Sequence, residues 1–401
     1  MPDKRKDSST EKSATKRPKA DHSNSESTGE DGISYEPVHF IRSHSKNNDP
    51  ADIKTQIWEV VFEPDPNYPN KTTSLVANLH KELKEDFYTL AWTTLELKGE
   101  KSESEKNQYT ICFHEWRPVE KKTHAVNSLV FHSEHPTWLF CGSNDGVVSL
   151  WDIGKPTIPS YDGVCPKQLL KLFPDYGDVY NIVWTGRNRY LLAGTAAGLV
   201  GWKIEDDQVI DNKDYKPQVI DFLMPENDRD NGENPIVDSL AVASENTIVS
   251  KFDVEKKAGG VIEKDVTMLA NLRWSDTDNF YMNLGCHKGK GLICCGDDKG
   301  TVWIYNLPQF GKDSSPALKS GVEPTTLLTW PELQDDQLEN SKKVPIDRHS
   351  IIIDKVAASY DNSYIVAVTS NNMVCIWKKA EDESSNVLYG KKRQELKDVS
   401  S

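Results

Sequence analysis

The chain has 401 residues, with 62 Asp and Glu against 48 Lys and Arg and a formal net charge of −14. That balance argues against a general phosphate-binding surface and suits attraction to a basic protein segment. No run of about 18 apolar residues exists, so no membrane span is expected, and the opening MPDKRKDSSTEK lacks the apolar region of a secretory signal peptide.

Residues 1–33 have no apolar periodicity and are rich in Lys, Ser, Glu and Thr, which predicts a disordered tail. Its bases gather in two clusters, Lys4-Arg5 and Lys16-Arg17-Pro18-Lys19. That spacing resembles a bipartite nuclear localisation signal, in which two basic clusters on an extended chain occupy two acidic pockets. Lys4, Arg5, Lys16, Arg17 and Lys19 are the residues such a signal would use, and they predict a nuclear protein.

Residues 34–380 carry alternating apolar runs and turn signals. Gln56 to Phe62 (QIWEVVF), a weaker stretch from Ser74 to Leu79, Phe87 to Leu95 (FYTLAWTTL) and Gln108 to Phe113 (QYTICF) read as early strands. The segment from Val126 to Ile153 is the clearest unit. VNSLVF, WLFCGS and VVSLWDI are separated by a His-Pro turn and by Asn144-Asp145-Gly146, which readily supplies the positive φ of a tight hairpin. Strand, turn, strand, hairpin and a strand ending in Trp-Asp is the plan of one propeller blade.

The plan recurs in DVYNIVW, YLLAG and LVGWKI, with Trp202 in the place of Trp151. A degraded copy has strands at Val237 to Val242 and Thr247 to Phe252, with its third strand expected near Val261. Phe280 to Leu284, Gly291 to Cys295 and Thr301 to Asn306 form another copy. Ile351 to Ser359, Tyr364 to Thr369 and Met373 to Trp377 form the last. One blade cannot bury both faces of its sheet, so the copies must stack on one another. The expected fold is all-β: a WD-repeat β-propeller of seven blades with an incomplete or degenerate first blade, residues 35–80. The segment around 38–62 is expected to contribute to ring closure, and residues 381–401 form a charged C-terminal tail.

Neither a phosphate loop nor the motif of a serine hydrolase or metalloprotease is present, and Gly289-Lys290-Gly291 precedes a strand rather than a helix. Cys112, Cys141, Cys165, Cys286, Cys294, Cys295 and Cys375 form no C-x-x-C pair. The ten His are dispersed, with His132 and His135 at strand ends or turns. No catalytic residue, metal site or cofactor is expected, and the cysteines read as buried thiols of a reducing compartment. What remains is aromatic chemistry at strand starts. Trp58, Tyr88, Phe280 and Tyr281 fall there in different blades, where they either pack blades together or line the mouth of the central channel. Rings around such a pocket attract a quaternary ammonium, at about 0.5–2 kcal/mol per favourable contact.

Four segments carry a resemblance: HFIRSHSKNNDPADIKTQIWEVVFEPD, DFYTLAWT, LFCGSNDGVVSLWDIGKP and LICCGDDKGTVWIYNL. Together with the final MVCIW they resemble the WD-repeat part of the leucine-rich repeat and WD repeat-containing protein 1 family. These are factors associated with the origin recognition complex in heterochromatin. More distantly, the same segments resemble the Polycomb subunit called embryonic ectoderm development protein. The similarity spans roughly residues 36–379, and no leucine-rich repeats precede residue 35.

The resemblance implies a nuclear, non-enzymatic adaptor. It would bind histone tails with trimethylated lysine through an aromatic cage at Trp58, Tyr88, Phe280 and Tyr281. It would also associate with origin recognition complex subunits, in heterochromatin organisation and replication initiation. Neither sequence-specific nucleic-acid binding nor a membrane partner is implied. The alternative is a protein–protein scaffold, a subunit of the origin complex or of a Polycomb-type silencing complex, that reads no histone mark.

Overall fold

The computed structural model describes residues 34–41, 57–62, 89–98, 106–113, 124–155, 166–223, 236–244, 246–253, 262–265, 267–277, 279, 281–286, 291–306, 321–331 and 351–380. The basic clusters of residues 1–33, the 74–79 strand, the 381–401 tail, Tyr88 and Phe280 lie outside the described residues.

The described part is built of small antiparallel sheets. β1 (Tyr35–Ile41) is followed by a hairpin of β2 (Ala91–Lys98) and β3 (Lys106–Phe113). β4 (Val126–Phe131), β5 (Trp138–Ser143), β6 (Val148–Asp152) and β7 (Lys167–Leu172) make a four-stranded blade, and β8 (Val179–Trp184), β9 (Tyr190–Thr195), β10 (Gly198–Lys203) and β11 (Val219–Leu223) make the next. A short helix, α1 (Asp206–Asp211), lies between β10 and β11. β12 (Ile236–Ser244) pairs with β13 (Thr247–Asp253), and β14 (Ile262–Asp265) follows. β15 (Gly285–Cys286), β16 (Leu292–Gly296), β17 (Thr301–Asn306) and β18 (Thr326–Thr329) form another blade. β19 (Ile353–Ala358), β20 (Tyr364–Thr369) and β21 (Val374–Lys379) form the last, with β1 as its fourth strand.

The turns behave as their residues demand. Gly146, in the Asn-Asp-Gly hairpin between β5 and β6, takes φ 74°, and Asn372, between β20 and β21, takes φ 61°. In the clearest blade β5 is buried along almost its whole length, whereas β6 alternates. That is the pattern of a strand covered on both faces beside one nearer the rim.

Each sheet buries its faces against its neighbours. Phe140, Val148 and Leu150 of one blade pack with Val179, Ile182 and Leu191 of the next. Leu192 and Leu199 pack with Val237 and Leu240, and Ala241 with Ile293 and Cys295. Cys294 and Ile304 pack with Ile353 and Ile365. Ala91 packs against Leu139, and Ile57 and Val60 pack against Val366 and Val374. This face-to-face succession is the architecture of a β-propeller. The blades approach so closely that side chains are excluded at the seams: a Cβ on Gly194 would lie 2.5 Å from Val237 O.

The expected plan holds with four differences. The 57–62 stretch forms no ladder; its Ile57 N–H donates to Thr369 O at 3.2 Å, which attaches it to the last blade. β1 pairs antiparallel with β21 from Tyr35↔Lys379 to Ile41↔Val374, so residues 35–41 complete the last blade instead of starting a first one. This covers the hydrogen-bonding edge that β21 would otherwise expose. The strand expected near Val261 pairs in parallel with β11, joining the preceding blade instead of completing its own. Residues 281–284 are irregular, with one bridge from Asn283 to Lys355 and a ladder only at Gly285–Cys286.

Candidate aromatic site

The first strands of four of the sheets share a local irregularity. In β4, β8 and β19 the register with the second strand slips at the second residue, and in β12 at the third: Asn127, Tyr180, Asp354 and Asp238, respectively, are the extra residues. A β-bulge bends its strand and re-aims the side chain it carries. Asn127 Nδ2 accordingly reaches into the next blade and donates to Val179 O at 2.9 Å. Tyr180, beside that carbonyl, is turned toward the 281–284 segment.

Tyr281 is the centre of the site. Its φ of 63° is in the left-handed region, a costly conformation for a bulky residue that persists only where its surroundings enforce it. Here they do, through contacts from two blades. The Tyr281 N–H donates to Asp238 Oδ2 at 3.2 Å, and the Leu284 N–H to Ser239 Oγ at 2.9 Å, both on β12. On the other side the Asn283 N–H donates to Asp354 O at 2.7 Å, on β19. The ring is left 40% exposed.

Two further rings stand against it. Trp58 lies with its centroid 6.3 Å from that of Tyr281 at an interplanar angle of 79°, and Tyr180 lies 5.7 Å from it at 78°. Both are partly buried. Both contacts are edge-to-face, a geometry that aromatic pairs prefer, and the π-face of such a ring attracts a cation. Trp58 is held by its neighbours in sequence. Ile57 is bonded to Thr369, and Glu59 pairs with Lys355 Nζ at 3.1 Å, both side chains mostly buried. Burial raises the Glu59 pKa and Lys355 opposes that shift.

Charge lies beneath the rings. Lys251 Nζ is 2.6 Å from Asp238 Oδ2, 3.5 Å from Met282 O and 5.1 Å from the centre of the Trp274 ring. Burial pushes the Asp238 carboxyl upward, and Lys251 and the Tyr281 N–H work against it. The Tyr180 hydroxyl is raised by burial first, then by Tyr281, Asp178 and Asp238.

Of the four aromatics expected from the sequence, the structure brings together Trp58 and Tyr281; Tyr88 and Phe280 lie outside the described residues. Tyr180 was not expected, although it lies near a strand start in DVYNIVW and meets the criterion that selected the others. The Asp238–Lys251 and Glu59–Lys355 pairs leave no spacing signal, because each joins different strands or segments.

A second cluster joins residues far apart in sequence. His132, His135 and Asp206 place their donor atoms within 4.8 Å of one another. His132 Nδ1 accepts the N–H groups of Glu134 and His135, at 3.1 Å each. A neutral imidazole so held carries its proton on Nε2, which faces Asp206 Oδ1 at 3.4 Å. That nitrogen then has no lone pair for a metal, and Arg189, 3.8 Å from Asp206 Oδ2, already supplies a cation. The contact with Asp206 favours a charged His132, but burial is the larger effect and lowers its pKa to about 4. The cluster ties the turn between β4 and β5 to α1 as a structural network.

Stacked blades, a closing N-terminal strand and Trp-ended third strands define a WD-repeat β-propeller, a class whose blades present interaction surfaces. The family model described as "Leucine-rich repeat and WD repeat-containing protein 1, WD domain" matches residues 68–380. This chain belongs to that family. The Xenopus tropicalis protein of that name is 29% identical over 396 residues, covering 86% of this chain and 55% of its own length. The Homo sapiens protein is 28% identical over 424 residues, covering 92% and 62%. The Mus musculus protein is 27% identical over 410 residues, covering 88% and 59%. The chain thus spans between half and two-thirds of the length of these relatives.

Proposed function

We propose that this chain is a non-enzymatic chromatin adaptor that takes the trimethylated lysine of a repressive histone tail into its aromatic site. It joins that tail to the origin recognition complex, in heterochromatin organisation and replication initiation. The observation that carries the reading is the perpendicular packing of Trp58 against Tyr281, 6.3 Å apart and drawn from distant parts of the chain. A trimethylammonium group has no N–H to donate and is bound by π-faces and apolar contact, which such walls supply. The net charge of −14 supports the reading by favouring approach of a basic tail. The basic clusters at Lys4-Arg5 and Lys16 to Lys19 support delivery to the nucleus. Association with origin-complex subunits rests on the family resemblance.

The test is fluorescence anisotropy of the full chain with histone peptides that differ only in lysine methylation. Trimethylated peptides are expected to bind at least fivefold more tightly than unmethylated ones, and Tyr281→Ala to abolish the difference. Equal affinity for both peptides, with capture of origin-complex subunits intact, would leave a scaffold that reads no mark.

A further inference from the structure

We infer that Tyr180 is a third wall of this ammonium site, so that the blade β8–β11 contributes to recognition alongside Trp58 and Tyr281. The inference rests on the aromatic-site reading above and adds to it a specificity residue from another blade.

Three observations carry it. The β8 bulge falls on Tyr180 itself, between the pairs Val179↔Thr195 and Asn181↔Gly194. Its ring meets Tyr281 at 5.7 Å and 78°, closer than Trp58 does and at nearly the same angle. The side chains at the other bulged positions are occupied differently: Asn127 bonds the next blade, Asp238 pairs with Lys251, and Asp354 is buried. Tyr180 is the aromatic residue in that set. Among the described residues no group hydrogen-bonds its hydroxyl, so the ring is what this side chain offers. Burial first, then Tyr281, Asp178 and Asp238, raise the pKa of the phenol, so the ring is neutral. A neutral ring presents its π-face to a cation. The ligand class is a quaternary or multiply methylated ammonium.

The experiment uses tetramethylammonium chloride as probe and follows the tyrosine ring resonances of the full chain by NMR, with sodium chloride as the ionic-strength control. Saturable shifts are expected for the wild type. Tyr180→Phe should bind within twofold of it. Tyr180→Leu, which keeps bulk but has no π-face, and Tyr180→Ala should each weaken binding by about three- to tenfold. Thermal unfolding of each variant separates loss of the ring from loss of the fold. Leu and Ala variants that are folded and bind as well as the wild type would overturn the role of Tyr180 while leaving Trp58 and Tyr281 as the site. Absence of saturable binding to the wild type would overturn the aromatic-site reading, and the third wall with it.

Discussion

Lys251 Nζ and the Tyr281 N–H converge on one oxygen, Asp238 Oδ2, at 2.6 and 3.2 Å. The ion pair therefore does more than neutralise a buried carboxylate, because it anchors the one position with a left-handed φ among the described residues of the site. Removing one partner of such a pair leaves an uncompensated buried charge, at a cost of about 3–5 kcal/mol. Lys251→Met is expected to destabilise the protein by that order in urea unfolding and to reduce peptide binding at the Tyr281 site. The double variant Asp238→Asn/Lys251→Met should recover most of the stability. A single variant within about 0.5 kcal/mol of wild type would remove the pair from this role.

Asp354 makes a pH-dependent contribution. Its Oδ2 is buried with no hydrogen-bond partner among the described residues, and burial raises its pKa to about 8. The unfolded carboxyl titrates near 4, so between about 4 and 8 the folded state binds the extra proton. The contribution is full below the unfolded value and is lost as pH rises through 8. Asp354→Asn should flatten the pH dependence of the melting temperature between 5 and 9 and raise it at pH 9 by about 2–4 °C. An unchanged slope would show that the carboxyl ionises without cost.

His132 works in the opposite sense. Burial lowers its pKa to about 4, against an unfolded value of about 6.5. Stability from neutral His132 is full above 6.5 and is lost as pH falls through 4. His132→Gln should be less stable than wild type at pH 7, by about 1–3 kcal/mol, since the two N–H groups on Nδ1 lose their acceptor. The difference should shrink toward pH 4. Denaturant unfolding at pH 4, 5.5 and 7 checks this, and a gap that widens on acidification would contradict it.

The N-terminal strand is expected to hold the propeller shut. Tyr35 is buried at the start of β1, and its hydroxyl donates to Asn362 O at 2.9 Å, across the last blade. Tyr35→Ala should cost about 3 kcal/mol and loosen the β1–β21 pairing, read as faster amide exchange along Val374–Lys379. Exchange confined to its wild-type rate would mean that β1 stays docked without its anchor.

The repeated blades could be read from single segments because their signals are local. Val126 to Ile153 contains its three apolar runs, its Asn-Asp-Gly turn and its Trp-Asp end within one stretch, and the structure builds β4, β5 and β6 from them. The outer strands β7, β11 and β18 were not anticipated. KQLLKL alternates weakly, and such short strands are specified by the edge they join more than by their own pattern. The parallel docking of β14 on β11 was likewise invisible, since pairing partners are a property of the sheet.

The same division runs through the site. Trp58 and Tyr281 could be picked out as aromatics in apolar runs that read as strands, although neither lies in a strand. Their perpendicular contact, the bulge that turns Tyr180 toward them and the lysines that neutralise Asp238 and Glu59 all depend on neighbouring blades. The sequence by itself determined an acidic all-β repeat protein with aromatic residues in several of its apolar runs, because composition, period and turn chemistry act over a few residues. Only the tertiary structure decided which of these rings meet, which strand closes the last blade and which buried charges find partners, because those contacts join residues that the chain separates and the stacking of blades brings together.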